Sequence, residues 1–350
     1  MPEELNPHRL RRRLIELLLV GVVVVVVVLV GPGLGSLRKT LSHASGGWVA
    51  AGVGFELLSA LSYVVVFKTV FCRRMSWRLS YQIGMAEQGA NSVLSVSGAG
   101  GLALGAWALH RGGMSTEHIA RRTVAFFILT SLANVGGVIV FAALYGAEIL
   151  QDDPNPALTY TFGALATIAT VFVLALPRLL DAKPPSRDPA VGKLAVVMRW
   201  VRYSLVQGIR DGVVLLRQRP LGVLGGSVGI TVFDIAVLGV CFRAFGHSPA
   251  IGVLALGYLI GQLGGNIPVP GGIGGLDAGL VGAFALYHQP LAVTTAAVLV
   301  YHAIALWVPA LLGSLAFVQL RRTLRREREP AALCAPLAEP IDAAGHAVAV

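Results

Sequence analysis

The sequence predicts an all-α, polytopic membrane protein with about six full spans and two re-entrant hairpins arranged as an inverted repeat. Of its 350 residues, 55% are hydrophobic and only 13% are charged, whereas soluble domains carry about 25% charged residues. Several apolar stretches exceed the roughly 18 residues that indicate a membrane-spanning helix. Two further apolar segments are interrupted by glycine or proline at corresponding places in the two halves, which is typical of transporters with discontinuous helices.

The first half, residues 1–180, begins with a basic stretch and a predicted span at about 14–32. An alternative for this stretch is a signal peptide. A second span at 48–71 ends at further basic residues, which places this end and the N-terminus in the cytoplasm. The segment 80–110 also lies between basic residues, and it is too short for two spans of about 20 residues each. We therefore predict a hairpin that opens to the cytoplasm, followed by a span at 123–146.

The rest of the chain contains three predicted spans, a second hairpin and two segments outside the membrane. An acidic turn without Lys or Arg precedes the fourth span, which suits the outer side of the membrane. Glycines and prolines in the middle of the second hairpin cannot continue a regular helix. The predicted elements are a span at 158–180, a cytoplasmic basic segment at 181–220, a second membrane half at 221–322 with spans at 221–245 and 291–320 and a hairpin at 250–288, and a disordered tail at 323–350.

The basic segment at 181–220 contains a predicted amphipathic helix. Its apolar residues recur at helical spacing, and arginines spread over the remaining surface, among them Arg199, Arg202 and Arg210. Such a helix can lie on the membrane surface, where these arginines would contact anionic lipid headgroups. The alternative is a solvated linker helix that packs on the spans.

The net charge of +10 bears on orientation and on anionic lipids. In the predicted topology, every Lys and Arg except Arg38, Lys39 and Arg243 lies on the cytoplasmic side. We therefore expect a multi-pass protein of the cell (plasma) membrane with both termini in the cytoplasm. The arginines flank the spans without an interleaved aromatic motif, so nucleic acid is not an expected partner.

The two halves share short matching motifs. The sequence Gly98-Ala99-Gly100-Gly101-Leu102 aligns with Gly272-Ile273-Gly274-Gly275-Leu276, and one span upstream Phe55-Glu56 aligns with Phe233-Asp234. Each half contains three crossings and one hairpin. Because three is odd, the second half enters the membrane upside down relative to the first. One hairpin then opens inward and the other outward, and their tips meet near the midplane.

The second half contains four distinctive stretches, Phe242–Gly246, Leu259–Leu263, Ile267–Leu280 and Val298–Gly313. Through these stretches it resembles the lysylphosphatidylglycerol synthase transmembrane family of flippase-like membrane proteins, and the first half is similar but weaker. The resemblance implies translocation of a lipid headgroup. The synthase activity belongs to a soluble aminoacyl-transferring domain, which we do not expect in this chain.

At two positions this chain differs from the residues that the family often has, and in the family these residues could form a charged pair. The family often has Glu where this chain has Asp277, and Arg where it has His302. If an Arg–carboxylate pair fixes an anionic ligand in relatives, a His weakens it or makes it pH-dependent.

Helices that restart after Gly101 and Gly275 would each direct free amide groups and a positive dipole end at the break, which suits a phosphate headgroup. The alternative is that the glycines only let helices pack closely. The predicted substrate-binding residues are Gly98, Gly100, Gly101, Asn266, Pro270, Gly271, Gly272, Gly274, Gly275, Asp277 and His302.

Several ionisable residues lie within the apolar segments. Asp277 is either a helix cap or a proton or cation acceptor, and His302 either pairs with it or is a packing residue. Glu56, Glu87 and Asp234 are candidate proton-coupling groups, since an ionised carboxylate at membrane depth costs about 2.5–3.5 kcal/mol on insertion scales.

These features favour a flippase-like transporter that moves an anionic phospholipid or a polyprenyl-phosphate-type lipid between leaflets. A membrane scaffold without transport is the main alternative, and an intramembrane transferase acting on a lipid carrier is a further one. The sequence contains no catalytic triad signature, metal-ligand cluster or nucleotide loop, so we expect no enzymatic activity, no metal and no cofactor.

Overall fold

The computed structural model describes residues 44–94, 99–150, 155–180, 193–266 and 275–326. Every regular element in these ranges is helical, which confirms the predicted all-α class. The helices are α1 (Gly46–Phe71), α2 (Trp77–Leu94), α3 (Ala99–Arg111), α4 (Thr116–Gly146), α5 (Pro156–Leu179), α6 (Lys193–Gln218), α7 (Pro220–Ala244), α8 (Ile251–Gly261) with a 3₁₀ extension (Gln262–Asn266), α9 (Gly275–Leu286) and α10 (Leu291–Arg326).

Five of the described helices are long and apolar enough to cross a membrane: α1, α4, α5, α7 and α10. The multi-pass membrane architecture is therefore confirmed. The predicted first span at 14–32 and the tail beyond residue 326 lie outside the described residues. Two pairs of shorter helices, α2 with α3 and α8 with α9, pack against each other at the positions predicted for the hairpins.

α4 begins at Thr116, about two turns before the predicted span. The side chain of Ser115 caps this end, accepting a hydrogen bond from the His118 amide at 3.2 Å. The boundary was predicted from hydropathy, but a cap satisfies the first amides wherever it occurs and lets a polar turn precede the apolar stretch. α10 likewise continues past its apolar stretch as a polar helix and ends at Arg326, beyond the predicted end at 320.

α1 and α7 form the centre of the bundle and pack against each other along their length. Glycine allows the close approach: a Cβ on Gly226 would lie 2.8 Å from the Val66 Cβ atom. Near the middle of the pair, the rings of Phe55 and Phe233 stack with centroids 6.3 Å apart. The two residues that the sequence comparison aligned are thus neighbours in space.

Two hydrophobic cores lie at opposite ends of this central pair. One contains hairpin α2–α3 with the C-terminal end of α1, the N-terminal part of α4 and the C-terminal part of α10. The other contains hairpin α8–α9 with the C-terminal halves of α4 and α7 and the N-terminal part of α10. The hairpins therefore enter the bundle from opposite ends, as an inverted repeat requires.

Each hairpin packs on the long helix of the other half, α2 on α10 and α8 on α4. Gly89 and Gly313 bring α2 and α10 into backbone contact, since a Cβ on Gly89 would lie 2.6 Å from the Gly313 Cα atom. Within hairpin two, a Cβ on Gly261 would lie 2.7 Å from the Leu280 Cα atom. Larger residues at these positions would force the helices apart.

α5 and α6 lie at the periphery. Only 6% of the residues in the most apolar stretch of α5 are buried inside the protein. α6 docks on α4 through an ion pair between Arg121 and Asp211 at 2.9 Å and a hydrogen bond that Tyr203 donates to Glu117 at 2.9 Å. An apolar cleft of about 310 Å³ lies between α4, α5 and α6.

Candidate functional site: hairpin ends and a buried carboxyl pair

The start of α9 carries the first group of predicted site residues. Gly275 is its first residue and is buried, and Asp277 lies in the first turn. The structure brings Asp277 together with His302 on α10, with 2.8 Å between its Oδ1 atom and the histidine Nδ1. The two side chains are mostly buried, 18% and 13% exposed. The contact joins a carboxyl group to an imidazole, and it is an ion pair only when His302 is protonated.

This pair changes the electrostatics expected at the α9 end. The carboxylate of Asp277 offsets the positive end of the helix dipole, so the end attracts an anion less than a bare helix end does. A protonated His302 restores positive charge, and the site then suits an anionic headgroup. Asn266 ends the 3₁₀ turn on the other arm of the hairpin. The remaining predicted residues of this hairpin, Pro270, Gly271, Gly272 and Gly274, lie outside the described residues.

In hairpin one, a side chain on one arm caps the first turn of the other arm. The side-chain oxygen of Asn91 on α2 accepts a hydrogen bond from the Gly101 amide at 2.9 Å. This amide in the first turn of α3 is therefore unavailable to a ligand in this conformation. Gly100 lies in the same turn, and Gly98 lies outside the described residues. In hairpin one, the packing role that the sequence left open for the glycines has direct structural support.

Glu87 holds the two arms of hairpin one and α1 together. It is 4% exposed and hydrogen-bonded to Tyr63 on α1. On its other side, a Cβ on Gly105 would lie 2.6 Å from the glutamate Oε2 atom. A larger residue at position 105 would require the carboxyl group to move, so Glu87 is a partnered residue of a packed interface.

Glu56 and Asp234 form a second buried acidic site, between α1 and α7. Asp234 Oδ1 accepts a hydrogen bond from the Ser59 hydroxyl at 2.6 Å, and Oδ2 accepts one from the Tyr258 hydroxyl at 3.0 Å. Glu56 is 6% exposed and its Oε2 atom has no hydrogen-bond partner. It lies one helical turn from Ser59, and the two carboxyl groups interact electrostatically.

A line of hydroxyl groups extends from this pair. Tyr301 on α10 hydrogen-bonds Tyr258 on α8, and their rings pack edge to face with centroids 6.1 Å apart. One turn before Asp234, the Thr231 hydroxyl donates to the side-chain oxygen of Asn134 on α4 at 2.7 Å. Five helices, α1, α4, α7, α8 and α10, thus contribute polar groups to this part of the bundle.

The sequence did not single out Ser59 or Tyr258. Ser59 was detectable in principle, because it lies three residues after Glu56 and hence on the same helix face. Tyr258 carried no such signal, since its contact with α7 depends on how hairpin two packs.

The predicted lipid-surface arginines lie on α6. Arg199 and Arg202 are exposed, and Arg210 donates a hydrogen bond to the Pro177 carbonyl at the end of α5 at 3.0 Å. Apolar residues of the N-terminal half of α6 are exposed beside them: Leu194, Val197, Met198 and Val201. Its C-terminal half packs on α4, so each half of α6 fits one of the two alternatives.

Across the described ranges, no group of three or more His, Cys, Asp or Glu side chains is arranged to hold a metal ion.

A family model described as the lysylphosphatidylglycerol synthase TM region matches residues 14–313. The chain belongs to this family. Membership identifies a membrane protein connected to lipid handling. The match covers both hairpins, the central pair α1 and α7, and α10 as far as residue 313. Comparisons with curated proteins and with solved structures gave no match.

Proposed function

We propose that this protein is a flippase-like transporter that moves an anionic lipid, or a lipid-linked anionic headgroup, between the two leaflets. The observation that carries the proposal is the pair of hairpins entering from opposite ends of the α1–α7 core. In secondary transporters, such broken elements from two inverted repeats meet at the substrate site. Membership of a lipid-handling family supports a lipid as the cargo.

Hairpin two supplies the headgroup contact in this proposal. His302 beside Asp277 provides a group that is cationic when protonated and lies at the start of α9. A phosphate there gains the amide groups of the helix end as well as the imidazolium. Hairpin one, closed by Asn91, serves as the packed partner against which the other half moves.

In this proposal, the arms of the hairpins move past their neighbours where glycines allow the helix backbones to approach closely. In hairpin two, a Cβ on Gly279 would lie 2.8 Å from the Gly264 Cα atom. On the same helix, a Cβ on Gly282 would meet no atom within 4 Å. The two positions therefore give a matched pair in which only one substitution disturbs the hairpin.

The experiment measures movement of labelled phosphatidylglycerol and labelled phosphatidylcholine in proteoliposomes. We expect the unmodified protein and Gly282→Ala to move the anionic lipid at least severalfold faster than the zwitterionic one. Asp277→Asn and Gly279→Ala should lose most of this activity, because one alters the headgroup contact and the other separates the arms of hairpin two. Equal movement in all four proteins, or none above protein-free vesicles in any, contradicts the proposal. Absence of movement together with a stably co-purifying partner favours the scaffold.

A further inference from the structure

The buried pair Glu56 and Asp234 has an arrangement that a packing role alone does not require. The two residues follow the stacked rings of Phe55 and Phe233, within the most extensive helix contact among the described residues. Two ionised carboxylates at this depth repel each other in a medium of low dielectric constant. One of them is therefore neutral in the resting protein, in the way that paired carboxyl groups share one proton.

The hydrogen bonds indicate which residue holds the charge. Both oxygens of Asp234 accept hydrogen bonds from hydroxyl groups, which stabilises its ionised form. Glu56 has no such donor at Oε2 and is almost completely buried. The uncompensated oxygen is consistent with a neutral carboxyl group and inconsistent with a full charge, since an isolated buried carboxylate is very costly.

No basic group offsets the pair among the described residues that interact with it. The titratable groups that interact with the pair are Tyr258 on α8 and Tyr301 on α10, and Cys241 on α7 interacts with Tyr301. The carboxyl group of Glu87 on α2 is engaged by a different tyrosine, and His302 on α10 contacts Asp277.

The geometry favours a proton over a metal cation. Sodium sites in transporters draw on backbone carbonyls freed where helices unwind. Here α1 and α7 are continuous α-helices through Glu56 and Asp234, so their carbonyls are used in intrahelical hydrogen bonds. The remaining ligands are two carboxyl groups and two hydroxyls that already donate to Asp234, which is a poor shell for a metal ion.

We propose that Glu56 and Asp234 form a proton-binding site whose occupancy controls how hairpin two is held against the α1–α7 core. The inference deepens the proposed transport function and rests on it for the coupling step. Proton binding converts one carboxylate into a neutral carboxyl group and makes or breaks no other covalent bond.

The coupling follows from where the two donors come from. Ser59 belongs to α1 and Tyr258 to α8. A hydrogen bond to a charged acceptor is roughly twice as strong as one to a neutral acceptor. When the shared proton moves from Glu56 to Asp234, or a second proton binds, both attachments weaken and α8 is released from α7. Loss of the proton restores them.

Infrared difference spectroscopy of the full chain in lipid tests the binding step directly, because a protonated carboxyl group has its own C=O band. At neutral pH the unmodified protein should show a component of such a band that disappears on alkalinisation and is missing from the spectrum of Glu56→Gln, whatever band the buried Glu87 contributes. The matched control Glu87→Gln, another buried glutamate, should keep it. Its absence from the unmodified protein, or its persistence in Glu56→Gln, overturns the proposal. So does its loss on adding sodium chloride at constant pH, which would identify a sodium site.

Lipid movement in proteoliposomes at several pH values tests the coupling. One proton per cycle gives up to about a tenfold change in rate per pH unit on the limiting side of the profile. We expect Glu56→Gln to flatten this dependence, and Glu148→Gln, at an exposed glutamate, to leave it unchanged. An unchanged profile in Glu56→Gln overturns the coupling. If the unmodified protein moves no lipid, the proposed function fails while the infrared result still decides whether the proton site exists.

Discussion

The contact between Gly89 on α2 and Gly313 on α10 allows a quantitative prediction. An alanine Cβ at position 89 would lie 2.6 Å from the Gly313 Cα atom and 3.1 Å from the Pro309 carbonyl oxygen. Ordinary carbon contacts are about 3.5–4.0 Å, so the helices must separate by about 1 Å. The obstructing atoms are backbone atoms, which cannot rotate away. We therefore expect Gly89→Ala to carry an overpacking cost of about 1–3 kcal/mol.

A matched control removes the effect of helix propensity. Gly54 lies within α1, and a Cβ there would meet no atom within 4 Å. Gly54→Ala should be neutral or stabilise the protein by up to about 1 kcal/mol. Because both substitutions gain the same propensity, the difference between the two variants isolates the overpacking cost.

The assay is reversible unfolding in mixed detergent micelles, followed by circular dichroism. The account predicts a lower free energy of unfolding for Gly89→Ala than for Gly54→Ala, by about 1–3 kcal/mol. Equal stability of the two variants would refute the reasoning, because α2 and α10 would then not be in backbone contact.

Two further predictions concern hydrogen bonds and ion pairs inside the bundle. Tyr258→Phe removes a donor to Asp234 and should destabilise the protein by about 1.5–3 kcal/mol, whereas Tyr160→Phe, at an exposed tyrosine, should change stability by less than about 0.5 kcal/mol; equal losses would argue against the hydrogen bond. A double-mutant cycle with Asp277→Asn and His302→Gln should give a coupling energy of about 0.5–3 kcal/mol, and strictly additive effects would mean that the two side chains do not interact.

Much of the fold was predictable because the membrane restricts the choice of structure. Backbone groups in lipid must be paired within the segment, so long apolar stretches become helices and glycine-rich breaks become hairpins. The hairpins at 80–110 and 250–288 were predicted from such breaks. Helix ends were less accurate, since hydropathy does not register a cap such as Ser115.

The site was predictable at the level of residues and less so at the level of contacts. Alignment of the halves placed Glu56 and Asp234 at equivalent positions, but their contact arises from the crossing of α1 and α7. Ser59 and Asp234 are separated by 175 residues in sequence, and no local pattern links them. The closure of Gly101 by Asn91 was likewise undetectable, because glycine at a break is compatible with either a free or a capped amide.

Cysteine labelling tests the central claim, two hairpins entering from opposite sides, most directly. Single cysteines replace the exposed residues Trp77 and Arg111 at the ends of hairpin one, and Ile251 and Leu286 at the ends of hairpin two, in a chain whose native cysteines are changed to alanine. The account predicts that a membrane-impermeant maleimide labels both ends of hairpin two in intact cells, and both ends of hairpin one only after permeabilisation. Labelling of the two ends of either hairpin from opposite sides would contradict it, because that segment would then cross the membrane.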